Sequence, residues 1–402
     1  MSTAQGRETP AVQAGAAEVE VAIVGAGLAG TSLAAVLGKA GRKVALVDPH
    51  LVHHDEFRAE KIGMKQMQVF EKLGLGPAIR PLVTPMTDIH VFRLGQFFRR
   101  ERKWEFAFSY GALVNGMRQA LPRQVPLTVG KVAEVSTGPD RQRLVLTDGS
   151  VINARLLVVA TGYGEAVRRA IGIERVEESK AHSLSIGFDL AITPQQCAYP
   201  ALACYARNPA DRVAYLSVFP IGDRMRGNMF AYRTVAEEWT RAFRENPQKM
   251  LCELMPEIAR QCGNFAVAGP VEVRQVSLTT TRQHRRAGVV TIGDAFWTTC
   301  PTPGIGINRV VTDVDRLAST YIPQWLSTPG MDAEKICAFY DDPVKVATDK
   351  AGMRSSIYAK RITIETGLEW RLRRLRNNTA RQLVILGRKM RDREELPAPS
   401  AA

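Results

Sequence analysis

The apolar and polar positions of this chain change texture several times, and each change marks a predicted element. Near the start, the apolar run Val19–Val24 meets Gly25-Ala26-Gly27-Leu28-Ala29-Gly30, and a helix-forming stretch follows. A second apolar run, Lys43–Val47, ends at Asp48. Strand, glycine turn, helix and strand together read as a βαβ unit. A helix is predicted from Met64 to Leu73, stopped by Gly74-Leu75-Gly76-Pro77. Strand-like pieces follow at Asp88–Arg93 and Trp104–Phe108, then a helix from about Ala112 to Ala120. Thr147–Ser150 reads as a turn joining strands at Arg143–Leu146 and Val151–Asn153. Leu156–Val159, running into Ala160-Thr161-Gly162, is a buried strand that ends in a small-residue turn.

From His182 to Tyr232 the runs become short and strand-like: Leu184–Leu190, Ala201–Ala206, Val213–Phe219 and Asn228–Tyr232. Turn residues such as Pro220, Gly222 and Asp223 separate them, the pattern of an antiparallel sheet. A helical stretch is expected over roughly Ala236–Cys262. Gly288–Ala295 then returns to the texture of a strand followed by glycine. Near the end, Leu368, Leu372, Leu375, Leu383 and Leu386 recur at helical spacing among arginines.

Composition narrows the picture. At 402 residues and 45% hydrophobic content the chain can bury a large core in two domains or one elaborated domain. It has no uninterrupted apolar stretch of about 18 residues, so no spanning helix is predicted. The first 17 residues are small and polar and read as a disordered leader without the apolar core of a secretory signal. A cytoplasmic location is expected. Six cysteines are scattered without a C-x-x-C pair, which argues against a zinc site or a disulfide framework.

The formal net charge is +14, and residues 351–402 carry 12 Lys and Arg against 5 Asp and Glu. The simplest reading is a C-terminal helix that packs its leucines on the body and solvates its basic face. The functional alternatives are an anionic membrane surface, which would make the protein peripheral to a membrane, or an acidic carrier protein that delivers substrate. No nucleic-acid module accompanies the charge.

The glycine turn carries the first chemistry. In a dinucleotide site the first glycine makes the tight turn, the second admits a pyrophosphate and the third lets helix and strand pack closely. Asp48 lies about 20 residues further on, where a ribose-binding carboxylate belongs. A second motif, Gly293-Asp294-Ala295, is followed by Pro301, Gly304, Gly306 and Asn308, which would free backbone amides at a helix start.

Two such motifs in this order resemble the flavin-dependent aromatic hydroxylases, the single-component FAD monooxygenases related to p-hydroxybenzoate hydroxylase, over roughly residues 18–325. The resemblance implies an α/β fold: a doubly wound FAD-binding domain from residues 18–78, 103–178 and 275–325. Inserted in it would be an antiparallel substrate domain from residues 79–102 and 179–274, followed by a helical basic region over 326–402. It makes Gly25, Ala26, Gly27 and Gly30 pyrophosphate-side contacts and Asp48 the adenosine-ribose acceptor. Asp294 would hold the ribityl chain, Pro301, Gly304, Gly306 and Asn308 would border the isoalloxazine, and Arg58 sits where the family often places an arginine near the flavin. His50, His53 and His54 crowd the same region and are expected as surface contacts, with no metal site.

The implied reaction takes NAD(P)H, O2 and an electron-rich aromatic small molecule, with oxygen transferred from a flavin hydroperoxide. Phe296, Trp297, Cys300 and Pro301 suit the walls of a dry pocket. Tyr205, Tyr215 and His182 are candidates for a base, with none singled out. Two departures stand out: Thr161 replaces the aspartate of an Asp-Gly motif, and Phe296 and Trp297 follow Gly-Asp-Ala where many members carry a histidine. The alternatives keep the fold: a flavin-dependent reductase of lipid-like or carrier-bound substrates resembling geranylgeranyl reductases, or a non-catalytic FAD-binding protein. A halogenase is disfavoured because the W-x-W-x-I-P signature is missing.

Overall fold

The computed structural model describes residues 16–394 apart from 59 and 263–265. The leader expected over residues 1–17 lies outside the described residues but for its last two. Strand Ala17–Val24 is central to the first sheet, flanked in parallel by Val44–Asp48 and Val151–Val159. Leu127–Val129 and Val289–Thr291 extend the parallel array on either side. The first half of Val151–Val159 instead pairs antiparallel with Gln142–Leu146, which pairs with Val132–Ser136.

Alternation along these strands serves two cores at once. Val21, Ile23, Leu156 and Val158 enter one cluster, and Ala22, Val24, Leu157 and Val159 enter the cluster on the opposite face. A strand buried on both faces reads as a continuous apolar run, which is what residues 21–24 and 156–159 show. Helix Leu28–Lys39 is buried along most of its length, with Tyr110–Gln119 and Gly306–Arg316 packed beside it.

The second sheet has eight strands in the order Val267–Arg282, Glu174–Leu190, Arg224–Ala231, Val213–Ile221, Leu202–Tyr205, Thr84–Arg93, Gln96–Ala107 and Lys61–Gly63. All neighbours are antiparallel except Leu202–Tyr205 beside Thr84–Arg93. One face packs Leu184, Ile186, Phe188, Leu216, Val218 and Met229 under the helical segment 238–262. The period of two then sends Ser185, Tyr215, Ser217, Asn228 and Phe230 to the other face. Register clusters them, with Ser217 opposite Asn228, and Phe230 opposite both Ser185 and Tyr215.

Two strands are longer than their sequence suggested and a third, Val267–Arg282, was not read from it. Gln96–Ala107, Glu174–Leu190 and Val267–Arg282 each run through a boundary placed at 103, 179 or 275, so the two bodies are joined by continuous strands. The helical stretch near 236–262 is three short helices, Glu238–Glu245, Pro247–Leu254 and Glu257–Cys262, broken before Pro247 and Pro256. The residue before a proline is pushed out of helical geometry.

At the C-terminus, helices Pro343–Ile364 and Leu368–Glu394 follow one another. Here the leucine stripe corrects the simplest sequence reading. Leu368, Leu372, Leu375, Leu383 and Leu386 are 55–71% exposed, while the packed face presents Trp370 and Ile385. Among the described residues no helix is long and apolar enough to cross a membrane.

Candidate functional site

A cavity of about 650 Å³ lies between the two sheets. Its volume is in the range of small-molecule and cofactor sites. At one end is the glycine turn. Gly25 has φ +102°, and a side chain there would stand 2.5 Å from the Ala160 carbonyl oxygen. At Gly30 a side chain would collide with the Gly25 carbonyl, so this glycine serves the packing of helix on strand. Gly27 is different: a Cβ there would meet nothing nearer than the Tyr110 hydroxyl at 3.9 Å. Gly25 and Gly27 border the cavity, and Ala26 and Gly30 lie behind it.

Asp48 is held at the end of its strand by backbone amides. The Ala26 N–H donates to Oδ2 at 2.8 Å and the His50 N–H to Oδ1 at 3.0 Å. The buried guanidinium of Arg118 adds an ion pair to Oδ2 at 3.3 Å and donates to the carbonyls of Ala26, His50 and Leu51. Arg118 thereby ties the glycine turn to the segment after Asp48. Sequence reading passed over it, although an arginine one residue after Met117 on the apolar face of Tyr110–Gln119 is a detectable signal.

Midway along the cavity, Arg58 pairs with Glu56 at 2.8 Å and with Asp294 at 3.5 Å. Burial would push the Glu56 carboxyl up, but the hydrogen bond and charge of Arg58, with Arg274 behind it, hold it below the usual range. Arg58, Arg175 and Arg274 all face the Tyr163 ring at 5.0–5.7 Å. Arg175 also donates to the carbonyls of Gly162 and Asp294. The turn after the strand at 159 and the turn after the strand at 291 are thus clamped together. Pro301, Gly304 and Gly306 border the same cavity, whereas Asn308 points elsewhere on helix Gly306–Arg316.

The Gly293-Asp294 turn is fixed from below. Gly293 has φ +58°, and its N–H donates to Asp313 Oδ2 at 2.9 Å. Asp313 pairs with Lys345 at 2.7 Å, Lys345 with Asp349 at 3.1 Å, and Asp349 with Arg309 at 2.7 Å, all buried. Arg309 then donates to the Trp297 carbonyl at 2.7 Å. Burial pushes the Asp313 carboxyl up against the pull of Lys345.

The far end of the cavity is the polar face of the second sheet. Lys61 Nζ sits 3.0 Å from Ser217 Oγ and 3.2 Å from Glu105, and burial lowers its pKa despite that carboxylate. Asn228 Oδ1 is buried with no hydrogen-bond partner. Glu60 is paired with Arg226 at 3.0 Å, and burial raises its carboxyl.

Of the three base candidates, only Tyr215 reaches this cavity. Its hydroxyl donates to the Thr302 carbonyl at 2.9 Å, and burial pushes its pKa well up. Tyr205 borders a separate cavity of about 320 Å³. His182 is buried against Ser179 and Ser356, its pKa pushed down to about 4 by burial and by Lys360. Cys300 Sγ is hydrogen-bonded with the Ser183 and Thr302 hydroxyls at 3.3 and 3.1 Å, and Phe296 stacks on Trp297; none of these three, Cys300, Phe296 or Trp297, borders the main cavity. His50, His53 and His54 do border it. Among the described residues no group of three His, Cys, Asp or Glu is arranged to hold a metal ion.

A doubly wound nucleotide domain, sharing its cavity with the face of an antiparallel sheet, defines a class of flavoprotein. Residues 18–322 match the FAD binding domain family, and the chain belongs to that family. It is 23% identical over 355 residues to 3-demethoxyubiquinol 3-hydroxylase of Escherichia coli K12, covering 77% of this chain and 83% of that protein. It is 25% identical over 330 residues to aklavinone 12-hydroxylase DnrF of Streptomyces peucetius, covering 74% of this chain and 66% of that one. Among solved structures, p-nitrophenol 4-monooxygenase PnpA of Pseudomonas putida DLL-E4 superposes with a TM-score of 0.73 at 17% identity, covering 96% of this chain and all of that one. The protein is an FAD-dependent monooxygenase.

Proposed function

We propose that this protein hydroxylates an aromatic or similarly electron-rich small molecule, using NAD(P)H and O2. The observation that carries the reading is the continuous cavity that runs from the glycine turn, past Arg58 and Asp294, to the polar face of the second sheet. The residues fit FAD: Gly27 leaves its approach open while Gly25 and Gly30 are closed by the protein itself. Gly25 and Ala26, whose N–H groups donate to Val47 and Asp48, would shape the turn, Gly27 and the N-terminus of helix Leu28–Lys39 would hold the pyrophosphate, Asp48 the ribose, and Asp294 the ribityl chain. Gly304 and Gly306, beside Pro301, would border the ring, with Arg58 across from them. Bound FAD supplies electron transfer from NAD(P)H and activation of O2.

The chain's own residues do the rest. Phe57, Phe230, Val276 and Ile307 exclude water from the cavity. Lys61 Nζ would favour loss of the proton from a substrate hydroxyl and hold the resulting oxygen anion beside Ser217. Asn228 Oδ1, buried and unpaired, would accept a hydrogen bond from a second polar group of the substrate.

The test is turnover with a panel of phenols under labelled dioxygen. The expected result is ligand-stimulated NAD(P)H oxidation with one labelled oxygen in the product. Ligand-stimulated oxidation that reduces a double bond and leaves the label out would favour the reductase alternative.

A further inference from the structure

The C-terminal helix turns its apolar stripe away from the protein. At 100° per residue, Leu368, Leu372, Leu375, Leu383 and Leu386 fall within about 80° of the circumference. They extend along roughly 27 Å of helix at 1.5 Å per residue. All five are more than half exposed. The opposite side carries what holds the helix to the body: Trp370, enclosed by Tyr358, Arg361 and Arg373, and Ile385. A helix that had merely lost its packing would not bury one face so cleanly while exposing another.

The charge beside the stripe is basic from Arg371 onward, and the one acid near its start, Glu369, is paired with Arg373. From Arg371 to Arg391 there are eight Lys and Arg and no acidic residue, and Arg371 and Arg376 flank the leucines on either side. A convex ridge of leucines edged by Arg371 and Arg376 has no hollow to receive a protein side chain, but it matches the depth profile of a bilayer surface. Leucines enter the acyl boundary while guanidinium groups stay with phosphates.

We propose that Leu368–Glu394 lies in the plane of an anionic lipid surface, with the leucine stripe immersed and the Trp370–Ile385 face holding the protein to it. Each immersed leucine strengthens partitioning about tenfold. Each arginine at an anionic surface strengthens it about fivefold.

The experiment is co-sedimentation of the full-length flavin-loaded protein with vesicles of phosphatidylglycerol and phosphatidylcholine, and of phosphatidylcholine alone. The protein is expected to sediment with the first and poorly with the second, and to be released by about 0.5 M salt. The triple variant Leu372→Gln, Leu375→Gln, Leu383→Gln should lose at least about a hundredfold in affinity, and the pair Arg371→Gln, Arg376→Gln roughly twentyfold. These side chains are exposed, so melting temperature and flavin content should not change.

Failure to bind phosphatidylglycerol vesicles would overturn the proposal. So would binding that the leucine variant retains and the arginine variant loses, which would indicate an acidic partner that takes no immersed side chains. A dimer that the leucine variant splits, without vesicle binding, would assign the stripe to a second copy of the chain. No turnover is read, so the outcome is independent of the hydroxylase reading.

Discussion

Substituting Gly27 by valine separates cofactor approach from folding. Gly27 caps helix Leu28–Lys39 with φ −75° and ψ −169°, extended backbone that valine also adopts. The nearest atom to an added Cβ is 3.9 Å away. The protein alone therefore loses about 1 kcal/mol or less, the difference between glycine and a branched residue at a helix N-cap. Bound pyrophosphate would meet the new side chain where it should meet amides. Two charge-assisted hydrogen bonds at about 1.5–3 kcal/mol each set the loss near 3–6 kcal/mol. That is roughly a hundredfold to ten-thousandfold in the dissociation constant of FAD. Titration of the deflavinated variant with FAD, followed by flavin fluorescence, measures it, and thermal melting of the same sample checks the fold. The control is Gly30→Ala, whose Cβ collides with the Gly25 carbonyl inside the protein and should lower the melting temperature with or without flavin. Unchanged FAD affinity in Gly27→Val would refute the reasoning, as would an apoprotein melting as far below wild type as Gly30→Ala.

Other perturbations probe the site and its support. Lys61→Met should cut kcat for a phenolic substrate by about a hundredfold and shift the pH profile, with FAD affinity unchanged; an unaltered profile would remove Lys61 from proton handling. Lys345→Met leaves Asp313 buried without its paired cation, Asp349 keeping Arg309, and should destabilise the fold by about 3–5 kcal/mol, read by urea unfolding. His182 titrates at about 4 in the folded protein against an ordinary 6.5 for a solvated imidazole, so the unfolded chain binds the proton first. Its contribution, about 3 kcal/mol at most, is complete above pH 6.5 and is lost as pH falls toward 4. His182→Gln should flatten the urea stability curve over that window by the same amount, and parallel curves would contradict it.

What the sequence made legible follows from range. The glycine turn, Asp48 and the strands at 19–24 and 156–159 are local patterns, and local patterns survive without a tertiary map. Arg118, Lys61, Asn228 and Arg274 were missed because long-range pairing brings them to the cavity; Lys61 meets Ser217 from 156 residues away. The segment 174–177 reads as polar, yet it is strand, because it pairs with Thr279–Arg282 where the sheet is half open to solvent. The leucine stripe shows the complementary limit. Helical periodicity found an apolar face at 368–386, but period gives no direction, and the body took Trp370 and Ile385 instead.

The buried chain of charges from Asp313 through Lys345 and Asp349 to Arg309 makes helix Pro343–Ile364 a structural partner of the Gly293-Asp294 turn. Occupancy of the cavity and docking of that helix are then linked equilibria, each stabilising the other by the same free energy. Flavin release should raise amide exchange at residues 343–364, none of which borders the main cavity. Truncating the chain ahead of Pro343 should release flavin even though every residue around the cavity is retained.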